Sequence, residues 1–394
     1  KLFILLGKEI FYNHLIMSEI KTNPASSPLL RLIGAFRKRW GWVVLIVFAL
    51  VIRLFAMNAE QVEVYYSQGI YPFISSLLRG ALNWLPLSVG DLLYGLVALY
   101  GIGKAISMIK RVIAGSHTPT YWLAGLRKFC FAVIVVYVFF NLCWGLNYNR
   151  LGIGYQLKLQ PSLVSQTEID TLTVHLLKQA NRYSGLVGRT TRQQFKQKEK
   201  LFNRAESEVQ QASLRYPFLE AKLGAVKPSI YSYLGNYLGF QGYYNPFTGE
   251  GQVNTTIPVF LRPFVATHEI AHQLGYAKES EANFVGFLVC KDAQEPLFRY
   301  AAYLDMYLYA HSILYQVDSA RANQIRMERN KQVQADIQEL KFFYQQYQTP
   351  LEELVMQGYD YFLQANEQPQ GKQSYSQVLR WLMAWVRKEG WEAL

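Results

Sequence analysis

Two histidines four residues apart with a glutamate between them, in the run His268-Glu269-Ile270-Ala271-His272, are the residues of this chain best suited to chemistry. On an α-helix that spacing sets both side chains on one face, about 6 Å apart along the axis, so both imidazoles can turn a nitrogen toward one ion. Glu269 lies about 100° around the helix from His268, close enough to take a proton from a water the ion activates without ligating the ion itself. The ion this pattern calls for is Zn2+, which in catalytic sites takes three protein ligands and leaves one position for water.

The third ligand has two claimants, Glu279 and Glu281. Gly275 can adopt the left-handed conformation that ends the first helix, and a second helix starting near Lys278 would set the two glutamates about 200° apart, too far to serve the same ion. Glu279 shares its face with Ala282, Asn283 and Gly286, small or polar residues that let two helices approach. Glu281 shares its face with Phe284, Val285 and Leu288. Glu279 is therefore the expected ligand, with Glu281 as the alternative or as a residue that orients the ligands. Tyr307 or His311, on a later helix, reads either as a donor to the oxyanion of a hydrolytic transition state or as an ordinary packed or surface residue.

These residues need a scaffold. Apolar residues spaced three and four apart through 166–184, 191–215, 294–317 and 335–347 predict helices. Strand character is confined to 244–264, where Gly and Pro punctuate a β-prone run. Within it, Gly249–Thr256 reads either as an edge strand holding an extended substrate or as a structural hairpin. The basic run 188–204 reads as a solvated helix face or, as the alternative, a patch resting on anionic lipid head groups, and the amphipathic segment 375–394 either lies on a membrane or packs on the domain.

The N-terminal third differs in kind. Of 394 residues 51% are hydrophobic and 15% aromatic, and three apolar runs stand out at 40–57, 87–109 and 129–145, each long enough to cross a lipid bilayer, with 58–86 as the loop between the first two. Met17 opens a plausible start, so residues 1–16 are given no role. The net charge of +12 would suit nucleic acid, but residues 1–146 hold 14 Lys/Arg against 5 Asp/Glu, and the remainder 26 against 23. The basicity therefore follows membrane topology, and no nucleic-acid partner is expected. Basic clusters before the first run and at 110–128 assign both to the cytoplasm, leaving everything after residue 146 outside it. Three cysteines, two of them inside an apolar run, give no disulfide framework.

The segment ESEANFVG (279–286) resembles the ExxAD element of membrane gluzincin peptidases such as the CAAX prenyl protease and heat-shock membrane protease families, with Glu279 at the ligand position. Asn283 stands where those families have Asp, and an amide orients a histidine less strongly than a carboxylate. A fuller resemblance is to the bacterial family catalogued as domain of unknown function 3810, carried by the three N-terminal spans, WGLNYNR (144–150), YNPFTGEGQVN (244–254) and the 268–288 segment. It implies the architecture and leaves the reaction to the residues.

The resulting expectation is a mainly α fold: a cytoplasmic segment (1–39), three transmembrane helices (40–146) and a zincin-like, mostly helical extracytoplasmic domain with a small β element (147–394). The chain would sit in the bacterial inner membrane and act as a zinc metallopeptidase on a peptide or protein substrate. The competing expectation is a membrane-anchored scaffold whose zinc is structural, and a small transporter comes third.

Overall fold

The computed structural model describes residues 28–116, 118–220, 224–366 and 375–394, with the backbone alone at 28–39, 375 and 376. Most of the segment expected to be cytoplasmic, residues 1–27, lies outside the described residues. Helix α1 (Pro28–Ala56) runs through the first apolar stretch. It stops where Asn58 turns extended and caps the next turn, its side chain accepting from the Gln61 N–H at 3.0 Å. A single turn (Ala59–Gln61) and a π-helix (Val62–Ile70) lead into α2 (Tyr71–Leu82).

Two helices follow with the length and composition of membrane spans. They are α3 (Val89–Ile113) and α4 (Pro119–Cys143), 25 residues each, with mean hydropathy 1.7 and 2.0. At 1.5 Å per residue each is about 37 Å long, enough for a hydrocarbon layer of about 30 Å. Their apolar side chains point outward, among them Val97, Leu99 and Tyr100 on α3 and Phe129 and Val136 on α4. Where the sequence predicts three spans, two helices pass on their own. The run at 40–57 passes only when joined to Ala59–Leu82, from which it is bent by 98°. The 58–86 segment, a loop by its sequence, is mostly helical, and it buries Glu63, Ser67, Ser75 and Arg79.

The described chain forms two units, residues 28–54 with 118–138 and residues 55–116 with 139–394. In the first, Trp42 meets Phe131 edge to face at 5.2 Å. In the second, residues 55–116 belong with the C-terminal body, so the division expected at residue 146 falls inside one unit.

That body is built on α5 (Gln166–Ser184), opened by a Ser165/Glu168 capping box, and α6 (Lys198–Arg215). Three short strands come next: β1 (Val226–Pro228), β2 (Gly242–Asn245) and β3 (Glu250–Val253), in the order β1-β3-β2. β1 runs parallel to β3, pairing Val226 with Gly251, and β2 runs antiparallel to it, pairing Tyr244 with Gly251. Helices α7 (Arg262–Gln273), α8 (Glu279–Lys291), α9 (Pro296–Val317), α10 (Lys331–Tyr347), α11 (Pro350–Ala365) and α12 (Tyr375–Glu389) complete it. Every residue of α8 is buried, which makes it the central helix, packed by α6, α7, α9 and α12.

One open reading is settled by packing. The C-terminal segment buries Val378, Leu382, Met383 and Trp385 against α8 and α9, so α12 packs on the body. In the basic run, Arg189, Lys196, Lys198 and Lys200 are exposed, as a solvated face requires, while half-buried Arg192 donates two hydrogen bonds to Asp336, at 2.9 and 2.8 Å.

Candidate metal centre

Helix α7 ends at Gly275, whose φ of 87° lies in the left-handed region. The Tyr276 N–H returns to Ala271 O at 3.1 Å, closing the turn. A side chain at Gly275 would also strike the Tyr71 ring, 2.9 Å from the position of a Cβ. The carbonyls left over at the end of α7 are taken up by the N-terminal part of the chain. Trp144 Nε1 donates to His272 O at 3.0 Å, the Tyr71 hydroxyl to Gln273 O at 2.8 Å, and Arg150 Nη1 to Gly275 O at 3.2 Å. Arg150 is in turn fixed by two bonds to buried Glu63, at 2.9 and 2.6 Å. Tyr71, Trp144 and Arg150 thus set the end of the helix that carries both histidines.

His268 and His272 stand with their rings perpendicular, centroids 4.6 Å apart. Glu279, from the first turn of α8, reaches between them: its Oε2 is 3.3 Å from His268 Nε2 and its Oε1 is 3.8 Å from His272 Nε2. One donor atom from each of the three lies within 4.8 Å of the others. Tetrahedral zinc with ligands at about 2.0–2.1 Å needs donors about 3.3 Å apart, so small rotamer adjustments bring this set to a metal's geometry. His272 Nδ1 sits 2.7 Å from Tyr276 O. With the proton on Nδ1, Nε2 is the free electron pair.

Electrostatics in the metal-free cluster follow from burial and proximity. Burial pulls the His268 pKa down, but Glu279 beside it outweighs that and raises it to about 9, with Asn283 helping. Burial acts to raise Glu279, and the two histidines with the Tyr359 hydroxyl overcome it and hold the carboxyl at about 2. His272, desolvated and next to charged His268, is depressed to about 4. A proton on His268 thus balances Glu279 where a cation would.

Glu269 is buried beside this cluster, and burial with the neighbouring Glu279 charge lifts its pKa to about 8. Its Oε2 has no hydrogen-bond partner. Its Oε1 lies 2.5 Å from where a Cβ on Gly242 would be, and its Cβ 3.0 Å from one on Gly251. Only glycines at these two strand positions let α7 sit this close to the sheet. Asn254 N–H donates to Gln241 O at 2.9 Å, which fixes the antiparallel pattern and turns the main-chain N–H and C=O of Gly242 and Tyr244 to the outer edge of β2. The strand with an open edge at the cluster is therefore β2. The expectation for Gly249–Thr256 resolves as structural, because β3 is paired on both sides.

Of the residues singled out in the sequence, His268, His272, Glu269 and Glu279 are brought together. Glu281 turns away, accepting from the Ile153 N–H at 3.2 Å, beside Gly152, where no side chain would fit. Asn283 stays beside His268. Tyr307 and His311 are engaged elsewhere: the Tyr307 hydroxyl accepts from Arg329 Nε at 2.7 Å, and His311 Nε2 lies 3.1 Å from Ala322 O. Neither is the oxyanion donor the sequence suggests, because the helix turn they occupy faces 319–329. Three neighbours escaped the sequence reading. The Tyr359 hydroxyl on α11 donates to Glu279 Oε1 at 2.6 Å, the Tyr244 ring lies 6.4 Å from that of His272, and half-buried Asp305, lifted to about 7 by burial, feels the His268 charge. None lies near the motif in the chain or repeats with it.

Together these features define a mainly helical protein with membrane-type helices and a His-His-Glu cluster set against a small sheet. Residues 66–383 match the family described as Protein of unknown function (DUF3810), and the chain belongs to that family. No curated protein and no solved structure matches the chain.

Proposed function

We propose that the chain is a membrane-anchored, zinc-dependent metallopeptidase whose body lies outside the bacterial cytoplasm. One observation carries the reading: three metal-type donors lie within 4.8 Å of one another, and a second acid, Glu269, is buried beside them with an unpartnered oxygen. Zinc held by His268, His272 and Glu279 would supply Lewis acidity toward a water and a peptide carbonyl. Glu269 accepts the proton at its free oxygen and returns it to the leaving amine. The outer edge of β2 holds an extended substrate through the main chain of Gly242 and Tyr244. Lys110, Arg111, Arg127 and Lys128, flanking the connection between α3 and α4, are cytoplasmic in this reading, which leaves the body on the other side.

The test is metal content and turnover on the same preparations. The native chain and Glu269→Gln each carry one zinc, His268→Ala carries none, and only the native chain releases peptides from membrane preparations. Equal turnover by Glu269→Gln removes the general-base assignment. The Tyr359 contact with Glu279 favours a second reading, a scaffold with a closed structural zinc. A hydroxamate, which needs an open position on the metal, binds in the first case and not in the second.

A further inference from the structure

Helix α11 has two apolar faces. Val355, Met356, Tyr359 and Leu363 are turned toward the body, while Leu351, Leu354, Gly358, Tyr361 and Ala365 recur every three or four residues along the opposite side and are all exposed. Leu351, Leu354 and Tyr361 are 52%, 68% and 71% exposed. A helix on a water-facing surface buries one stripe and fills the other with polar residues. The short helix Ser232–Leu238 continues this surface with exposed Tyr233, Leu234 and Tyr237. The two pieces adjoin: Thr349 Oγ1 donates to Tyr237 O at 3.3 Å, and a Cβ on Gly239 would touch Glu352 and Met356.

What covers this face follows from where it is fixed. The Tyr231 hydroxyl donates to Asp91 O at 2.9 Å and the Ile230 N–H to Asp91 Oδ2 at 2.7 Å, which ties the short helix to the first turn of α3. At the other end, Phe362 of α11 meets Phe140 edge to face at 6.4 Å, in the last turn of α4. A surface attached to the ends of two spans is level with the headgroup layer, where tyrosine and leucine side chains are favoured. α11 carries Glu352, Glu353 and Asp360 and no Lys or Arg, so contact is by apolar insertion and not by attraction to anionic lipid.

We propose that this face of α11 and Ser232–Leu238 rests in the interfacial layer of the bilayer crossed by α3 and α4, and that the cluster acts on polypeptides tethered to that same bilayer. The second part rests on the peptidase reading; the first does not. Tyr359, on the inner face of α11, touches Glu279, so about one helix diameter, 10–12 Å, separates the cluster from the membrane-facing stripe. An extended chain covers that distance in about three or four residues. Cleavage then falls a few residues outside the end of a substrate's span.

The surface is tested without turnover. Nitroxide labels are placed by Leu354→Cys, Tyr361→Cys and, for comparison, Leu186→Cys, a leucine 60% exposed outside this face. The full chain, carrying Cys130→Ala, is reconstituted in phosphatidylcholine nanodiscs. Collisions with oxygen should exceed those with a water-soluble nickel chelate at 354 and 361, with the order reversed at 186. An aqueous pattern at 354 and 361, or spin-spin broadening from a second copy seated there, overturns the surface. The substrate class is tested by new N-termini in membranes of cells carrying the native chain but not Glu269→Gln. Termini clustered beside spans support it, and termini scattered through soluble proteins overturn it. No difference between the two strains removes the peptidase reading and the substrate class with it, while the labels still decide the surface.

Discussion

Metal binding to this cluster should expel protons, and their number follows from the site. In the metal-free chain His268 has a pKa of about 9 and Glu269 about 8, while Glu279 is ionised and His272 neutral. At pH 7 both His268 and Glu269 are then mostly protonated. Zinc needs the His268 electron pair, so one proton leaves, and the cation's charge beside Glu269 drives off most of a second. Apparent affinity should rise about tenfold per pH unit for the first proton alone, about a hundredfold between pH 6 and 8, or about 2.7 kcal/mol. Calorimetric titration of the metal-free protein with zinc, in two buffers of different ionisation enthalpy, counts the protons directly. Glu269→Gln should lower the count by close to one and leave the His268 proton in place. Affinity independent of pH, or a count of zero, refutes the argument that a proton occupies the cation's place. Stability has the opposite sign without metal. The raised His268 stabilises the fold fully below its unfolded value of 6.5 and loses that contribution as pH climbs through 9. The lowered Glu279 contributes above 4.5 and loses its share as pH falls through 2. The metal-free chain is therefore less stable at pH 9 than at pH 6, by thermal melting, and zinc reverses the trend.

Gly242→Ala places a Cβ 2.5 Å from Glu269 Oε1 and 3.0 Å from Gln252 O. The displaced carboxylate should cost about a hundredfold in peptide release while zinc content stays at one per chain. Arg150→Met strips two bonds from buried Glu63 and one from Gly275 O. It should cost about 3–5 kcal/mol, seen as a lowered melting temperature in detergent, and adding Glu63→Gln should recover part of the loss. Cys290, buried against Thr267 with its thiol pKa pushed up by burial, should resist iodoacetamide at pH 8 in the folded chain and react once denatured.

The cluster itself was largely legible because helical geometry is periodic. The i, i+4 spacing of His268 and His272, the stop at Gly275 and the choice of Glu279 over Glu281 all follow from angles around a helix axis. What was hidden depends on contacts distant in sequence. Tyr359 reaches Glu279 across 80 residues, and Gly242 matters only because α7 lies on the sheet at that point. The 58–86 segment misled for a different reason. Its π-helix from Val62 to Ile70 widens the turn beyond the 3.6-residue period by which helices are recognised. Glu63 and Arg79 look like loop charges until Arg150 and the end of α7 are seen against them.

X-ray absorption at the zinc edge of the purified full-length chain tests the central claim most directly. It should show two imidazole nitrogens and carboxylate oxygen at about 2.0–2.1 Å with an additional light ligand, and Glu279→Gln should change that shell while Glu281→Gln leaves it as it was. A spectrum containing sulfur, a shell indifferent to Glu279, or no bound zinc after metal loading would contradict the account.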